Sequence, residues 1–397
     1  MLNVMIDAMG IGLIIPVMPD LIQQVNGGSL SNAALWGGVL ATSFAVMQFL
    51  FAPVLGGLSD RFGRRPVLLL SLFVMAADYV VMALTASIWL LLAARIVGGI
   101  TAATQSTASA YMADISEGSA RTRNFGLVGA AFGMGFVLGP VVGGLLAELG
   151  PRAPFWAAAG LAGANFLLGL MVLRESLPAE RRRPFSWRRA NPLGALRQLR
   201  KLPELGQLLF IYFLYQMAFT AYPATWAYFG QEKFDWTPAT IGLSLALFGG
   251  TMALVQGVLV RRALIWWQER GTVLAGHVFA LITYFSIATI PNGMVILVLT
   301  PIAALGGLVP VALQGMMSLR VADDAQGELQ GALTSASSLA MILSPLVMTS
   351  TFAFFTRADA PVYLPGAPYL LAFALMVLAL LLFLFRRRRP PAGPSAT

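Results

Sequence analysis

The chain of 397 residues is 58% hydrophobic and 11% charged, and its mean hydropathy is +0.76. A soluble domain carries about 25% charged residues, so this composition excludes a water-soluble globular protein. The net charge of +9 is typical of a membrane protein with basic cytoplasmic loops and does not indicate a nucleic-acid partner. With no cysteine and a single histidine, His277, we expect no disulfide, no metal site and no cofactor.

Apolar runs of about 20 residues, rather than alternating segments of about ten, predict helices and not a β-barrel. We therefore expect an all-α polytopic membrane protein. The first apolar run is not a cleavable signal, because no basic residue precedes it. Its abrupt start leads to the hypothesis that Met1 is not the natural initiator. About twelve transmembrane helices are predicted, at residues 1–24, 34–57, 66–87, 88–112, 124–147, 153–173, 205–230, 237–261, 272–291, 293–318, 328–354 and 361–385.

The basic residues predict the orientation of these helices. If the N-terminus is cytoplasmic, 22 of the 26 lysines and arginines fall in cytoplasmic intervals. Only Arg152, Lys233 and Arg357 fall on the opposite side, and Arg95 lies inside a span. The positive-inside rule then predicts a multi-pass protein of the cell inner membrane with both termini in the cytoplasm. An odd number of spans would destroy this alternation.

One long polar connection divides the chain. We expect an N-terminal six-helix bundle at 1–173, a basic cytoplasmic linker at 174–204, a C-terminal six-helix bundle at 205–385 and a cytoplasmic tail at 386–397. The linker contains ERRRPF and WRRANP. It is either a hinge lying on the inner membrane surface or a solvated loop that only sets topology.

The strongest short motif is GGLSDRFGRRP at 56–66, between the second and third spans. Gly63 permits a tight turn, and Pro66 suits the first turn of the next helix. Asp60 can pair with the neighbouring arginines or with a helix N-terminus. The alternative is an ordinary basic loop, although an acid within such a Gly-Arg pattern favours a functional one.

This loop resembles the signature loop of the major facilitator superfamily. DAMGIGLIIPVMPDLI in the first span and MQFLFAPVLGGLSDRFGRRPVLLLSL across the next two resemble the tetracycline efflux branch of that superfamily. PVALQGMMSLRV through GELQGAL is also similar to that branch. The resemblance implies two helical bundles around a central cavity, alternating access, export driven by inward proton flow, and a monomer.

Charged residues inside the membrane are the next candidates, because each costs about 2.5–3.5 kcal/mol on insertion scales. Asp78 and Arg95 lie on consecutive spans, each roughly 10–12 Å deep at 1.5 Å per residue. We expect them to pair, either to load and release protons or as a static ion pair. Asp7 lies beside Gly10 and Gly12 in the first span. The resemblance implies a transport role for Asp7 and Arg95.

Two further motifs follow from the resemblance. It implies that Asp114 pairs with the arginines of the 56–66 loop, so that Asp60, Arg64, Arg65 and Asp114 gate the cytoplasmic side. GFVLGPVVGG in the fifth span resembles the antiporter motif of the superfamily, which favours exchange over symport; plain small-residue packing is the alternative. Its residues are Gly135, Gly139, Pro140, Gly143 and Gly144.

The carboxyl half has no charged residue clearly inside a span. Glutamines there either orient a substrate or bond helices together, and the aromatic residues of the seventh span either line a cavity or pack. His277 near the end of the ninth span is either an interface residue or functional. The candidate polar residues are Gln216, Gln256, Gln314, Gln330 and His277, and the aromatic ones are Tyr212, Tyr215, Phe219, Tyr222 and Trp226.

This half also departs from the tetracycline pumps. They carry an essential acid in the ninth span, where this chain has Ala280, and often a histidine in the eighth, where it has Met252. The counterpart of the signature loop, VLVRRALIWWQERG, is degenerate. Metal–tetracycline exchange is therefore in doubt, and proton coupling should depend on the amino half.

We therefore predict proton-coupled efflux of small amphipathic molecules, with tetracycline-like drugs among the candidates. Asp7, Asp78 and Arg95, with Gln216, Gln256 and Gln314, are the candidate coupling and substrate residues. A metabolite importer or facilitator of the same fold is the alternative. We expect no enzymatic activity, because no nucleophile–base pair, metal constellation or loop domain is evident.

Overall fold

A computed structural model describes residues 1–102, 104–116, 118–187, 205–322 and 325–385. These ranges are helical and contain no strand. Ten helices are long and apolar enough to cross a membrane; one of them, Pro238–Thr289, has 52 residues. It contains two spans, because Gln268 interrupts it with a φ of 54° and a ψ of −178°. Gly206–Phe234 is also of spanning length, so the described helices form twelve spans, as predicted.

The amino half contains spans one to six and the carboxyl half contains spans seven to twelve. In the amino half the helices are Leu2–Ile14 and Met18–Asn26 (span one), Leu30–Phe62 (two), Arg64–Leu84 (three), Ile88–Thr101 and Thr104–Asp114 (four), Gly118–Leu146 (five) and Ala153–Val172 (six). In the carboxyl half they are Gly206–Phe234 (seven), Pro238–Leu254 (eight), Val260–Thr289 (the end of eight and all of nine), Gly293–Ala303 and Leu308–Ser318 (ten), Gln326–Thr356 (eleven) and Ala367–Leu384 (twelve).

Polar residues in the short turns fix where several spans begin. The Ser29 side chain accepts from the Asn32 N–H at 3.3 Å, and Thr237 accepts from Thr240 N–H at 3.3 Å. Asn292 accepts from the Met294 N–H at 2.9 Å. Each satisfies a donor that the first helical turn leaves free. Spans two, eight and ten therefore start at defined residues at one end of the molecule.

Buried aromatic residues hold the spans of each half together. Tyr79, Phe155, Trp226 and Phe352 are all buried within one continuous core. Many other large apolar side chains, such as Phe73 and Met171, are exposed. In a bilayer such side chains meet lipid tails, which are as apolar as they are.

Two seams join the halves: span two packs on span eleven, and span five packs on span eight. We call the end that carries the 56–66 loop the basic end, and the other the opposite end. Near the opposite end the Gln231 amide donates to Asp20 at 3.0 Å. Farther along, the Thr42 hydroxyl donates to the Ile342 carbonyl at 3.1 Å. These hydrogen bonds cross between the halves.

The first part of the predicted linker lies against the amino half. The Arg183 N–H donates to the Asp60 carbonyl at 3.1 Å, and the Phe185 ring lies beside Gly57. Residues 188–204 of the linker and the tail at 386–397 lie outside the described residues. The domain boundaries at 173, 204 and 385 remain predictions.

Candidate functional site

A cavity of about 360 Å³ lies between the two halves. Spans one to five contribute to it from the amino half, and spans seven and eleven from the carboxyl half. Among its described lining residues Arg95 is the one charged side chain. The other lining residues that matter below are Ile14, Phe44, Gln48, Met75, Tyr79, Phe136, Thr220, Ala224, Tyr228 and Met341.

A second cavity, of about 480 Å³, continues toward the basic end between spans two, four and eleven. It shares Ala45, Gln48 and Met341 with the first cavity. Its wall is richer in hydroxyl groups, which come from Ser106, Ser109, Thr334, Ser335 and Ser338. A solute entering from the basic end would therefore pass a polar vestibule before it reached the apolar chamber.

Asp78 and Arg95 form an ion pair at the wall of the central cavity. The pair joins Oδ2 of Asp78 on span three to Nη2 of Arg95 on span four. The Arg95 side chain is 11% exposed and the Asp78 side chain only 2%. The Arg95 guanidinium also lies 5.4 Å from the centre of the Phe44 ring. The predicted pairing is confirmed, and its cationic member is the one that meets the cavity.

Asp7 lies apart from this pair. It is on the first helix of span one, Leu2–Ile14. The Tyr79 ring lies beside Gly10, one turn after Asp7, and also lines the central cavity. Asp7 is not among the described residues that line the two cavities above.

The signature loop at 56–66 is fastened by a cluster centred on Arg64. The Arg64 side chain donates to Asp60 at 2.5 Å, to Ser59 at 3.0 Å and to Asp114 at 3.1 Å. The Arg65 side chain donates to the Leu170 carbonyl at 2.9 Å. The predicted pairing of Asp114 with the loop is confirmed. The cluster joins the basic ends of spans two, three, four and six, all within the amino half.

Glu175 is a member of this cluster that the sequence analysis missed. Its carboxylate accepts from the N–H groups of Arg64 at 2.8 Å, Arg65 at 3.3 Å and Leu177 at 3.1 Å. It therefore caps span three, which begins at Arg64. Gly63 precedes that helix with a φ of 107°, and a Cβ there would overlap the Glu175 carboxylate. Its place directly after span six, one residue beyond Arg174, was the available signal.

The glycines of the antiporter motif allow close helix packing on two sides. Gly135, Gly139 and Gly143 recur every four residues and face the backbone of span one, so that a Cβ at Gly139 would lie 2.5 Å from the Met9 carbonyl oxygen. Gly144 faces span eight, where a Cβ would lie 2.5 Å from the Pro238 carbonyl oxygen. Pro140 packs against both neighbours. Span five is thus held between span one and span eight.

None of the four candidate glutamines of the carboxyl half is among the described residues that line the central cavity. Gln216 donates to the Ser337 hydroxyl at 3.1 Å, and Gln314 donates to Gln330 at 3.3 Å. Gln256 is exposed on a π-helical turn at Val255–Leu259. For Gln216 and Gln314 the structure shows helix–helix hydrogen bonding, which was the alternative to a substrate role.

The aromatic residues of span seven mostly pack. Tyr215, Tyr222 and Trp226 are buried, and the face that lines the central cavity carries Thr220 and Tyr228 instead. Ala280 is buried beside Tyr215, Phe219 and Tyr222, and the sulfur of Met252 packs on Gly307. His277 is fully buried within the carboxyl half: its Nδ1 lies 2.8 Å from the Val273 carbonyl oxygen, and its ring is stacked 6.3 Å from Phe383.

Two six-helix bundles with a cavity between them, and a buried charge pair of the amino half at the wall of that cavity, define a polytopic helical transporter. The sequence model of the Major Facilitator Superfamily matches residues 1–345, and the chain belongs to this family. It is a multi-pass membrane protein.

Named relatives agree with this assignment. The chain is 44% identical over 352 residues to the tetracycline resistance protein, class C, of Escherichia coli, covering 88% of each chain. It is 37% identical over 387 residues to the class E protein of Escherichia coli, covering 96% of this chain and 93% of that protein. These relatives are transporters rather than enzymes.

Solved structures show the same fold. The crystal structure of the human organic anion transporter MFSD10 (TETRAN) aligns with a TM-score of 0.69 and 27% identity over 96% of this chain and 97% of that one. The nucleoside transporter NupG aligns with a TM-score of 0.78 over 97% of this chain and 98% of that one. At 12% identity, NupG supports the fold alone.

Proposed function

We propose that the protein exports small amphipathic molecules from the cytoplasm in exchange for protons, by alternating access. The observation that carries this proposal is the Asp78–Arg95 pair, buried at the wall of the cavity between the halves. Ionisable groups at membrane depth mark proton and substrate pathways. Because the relatives are named for tetracycline resistance, tetracycline-like molecules are candidate substrates. Ala280 and Met252 argue against carrying them as metal complexes.

In this proposal the protein lies in the inner membrane, and its basic end and both termini face the cytoplasm. One chain forms the transporter. The Gln231–Asp20 hydrogen bond between spans seven and one, near the opposite end, then corresponds to a state closed to the outside. Substrate enters through the hydroxyl-rich cavity and reaches the apolar chamber beside Arg95. After the halves rock, a proton from outside neutralises an acid, Asp78 or Asp7. This neutralisation weakens the binding of substrate, which leaves to the outside. The halves then rock back to the inward-facing state, and the proton leaves into the cytoplasm.

The Arg64 cluster has a positioning role in this cycle. It is fully formed while the opposite end is closed, and its described contacts lie within the amino half. We propose that it makes the basic ends of spans two, three, four and six one rigid unit. That unit closes against the carboxyl half when the cavity faces outward, so Asp60, Arg64, Arg65 and Asp114 gate through it. The tight glycine contacts of span five let the seams slide between the two states.

Dissipation of a pH gradient in proteoliposomes tests the proposal. A fluorescent proton reporter would be read against tetracyclines, cationic dyes and neutral amphiphiles. We expect at least one compound to collapse the gradient, and Asp78→Asn to abolish that response while Asp359→Asn, an exposed acid at the opposite end, retains it. If compounds bind and cross the membrane with no proton movement, the protein is a facilitator instead.

A further inference from the structure

The turn between spans eight and nine carries three arginines and one acid, Glu269, which forms no described ion pair with them. Arg261, Arg262 and Arg270 have no described ion pair or side-chain hydrogen bond. Arg261 and Arg262 are exposed. In the signature loop, by contrast, Arg64 and Arg65 are held by acids and carbonyls of the same half. The arginines of the turn are therefore available to an anion from outside the chain.

The surroundings of these arginines place them at a lipid surface. They follow Leu254 and Val258 along the exposed side of span eight, and these two apolar side chains are 54% and 41% exposed. Ile265 and Trp266, just beyond, are each 69% exposed. A side that exposes large apolar groups on a membrane helix meets lipid. Arginines at its end extend their charged heads to the level of the phosphates.

The two tryptophans at the turn fix the depth of the site. Trp266 and Trp267 lie edge to face, 6.5 Å apart, and Trp267 is 46% exposed. Tryptophan is enriched where hydrocarbon meets headgroups, because its ring is apolar and its N–H is polar. Gln268, with its φ of 54°, turns the chain here, which brings Arg270 to the same end as Arg261 and Arg262.

We propose that this turn binds the phosphate headgroup of an anionic phospholipid. Guanidinium groups bind phosphate oxygens through charge-assisted, often bidentate hydrogen bonds. Basic clusters beside a membrane helix bind anionic lipids in the cytoplasmic leaflet. The occupant is a lipid rather than free phosphate, because the arginines share their surface with exposed leucine, valine, isoleucine and tryptophan. Those side chains would contact acyl chains.

Fluorescence quenching of the full-length protein by brominated lipids tests this proposal. In mixed vesicles, brominated phosphatidylglycerol should quench wild-type tryptophan fluorescence at lower mole fraction than brominated phosphatidylcholine. Replacing Trp266 and Trp267 by Phe should remove most of that difference. In the variant R261Q/R262Q/R270Q the preference should fall at least about tenfold, given about fivefold per arginine near the surface.

The control variant R181Q/R182Q/R183Q removes three exposed arginines at the same end and lowers net charge equally. It should keep the preference. If both triple variants lost the lipid preference equally, the preference would depend on net charge alone and the proposed site would be wrong. The site would also be wrong if neither variant lost the preference. If excess inorganic phosphate abolished the lipid preference, the ligand of the turn would be a soluble phosphate and not a lipid. If R261Q/R262Q/R270Q failed to fold, equal quenching of the wild-type protein by the two brominated lipids would still refute the proposal.

Discussion

The two halves of the transporter treat charge in opposite ways. The amino half buries an ion pair at the cavity wall and surrounds its basic loop with its own acids, from Asp60 to Glu175. The carboxyl half has glutamines in its interior and leaves the arginines of its corresponding turn without described partners. A buried charge is stable only with a partner, whereas a surface arginine can meet water or lipid. This contrast supports our proposal that proton chemistry belongs to the amino half, while the carboxyl half contributes neutral side chains to the described lining of the central cavity.

The largest expected effect on stability is at the buried pair. Arg95→Leu leaves the Asp78 carboxyl buried without a counter-ion, which costs about 3–5 kcal/mol. Gln216→Leu removes a neutral hydrogen bond to Ser337 and costs about 1 kcal/mol. The measurement is the temperature at which half of the purified protein remains monodisperse after heating. The Arg95→Leu midpoint should be clearly the lower of the two.

The double variant Asp78→Leu/Arg95→Leu sharpens this test. It removes both charges, so most of the lost stability should return, although proton coupling should not. A double variant no more stable than Arg95→Leu would show that packing, rather than the ion pair, determines stability at this site. A Gln216→Leu midpoint as low as that of Arg95→Leu would remove the contrast between the halves.

The next largest effect distinguishes the signature loop at 56–66 from the turn between spans eight and nine. Glu175→Ala removes the acceptor of three N–H groups, which should loosen the start of span three by about 1–3 kcal/mol. Hydrogen–deuterium exchange at Arg64 and Arg65 should then accelerate by about fivefold or more. Glu269→Ala, in the corresponding turn, removes a carboxylate with no described partner and should leave exchange there nearly unchanged. Similar acceleration at both turns would contradict the proposed difference.

Much of the fold and part of the site were predictable from the sequence. Apolar runs of spanning length predicted twelve helical spans, because the backbone N–H and C=O groups of a span cannot bond to water in the membrane and must bond to each other. The Asp78–Arg95 pair followed from equal depth on neighbouring spans. Glu175 was missed because its role depends on where the chain returns after span six, which is a tertiary contact. The burial of His277 could not be predicted, because its neighbour Phe383 on span twelve is more than a hundred residues away in sequence. The cavity face of span seven could not be chosen either, since aromatic residues occupy both of its sides.

The smallest expected effect is at the contact between spans one and seven, near the opposite end. Gln231 of span seven donates to Asp20 of span one there, and removing one such bond is worth about 1 kcal/mol, or about fivefold in a population. Asp20→Ala should therefore increase the time that the cavity spends open at that end. The chain has no cysteine, so a cysteine introduced at Ala224, which lines the cavity, is a unique label site.

The rate at which an impermeant maleimide reaches that cysteine from the opposite end reports the opening. Asp20→Ala should raise it about fivefold, and Gln231→Ala should reproduce the increase because both variants remove the same hydrogen bond. Asp359→Ala is the control, because its side chain is 80% exposed at the same end and pairs with Arg357 of its own half. If the labelling rate were unchanged in both Asp20→Ala and Gln231→Ala, the glycine contacts of span five with span eight, rather than this hydrogen bond, would keep the opposite end closed.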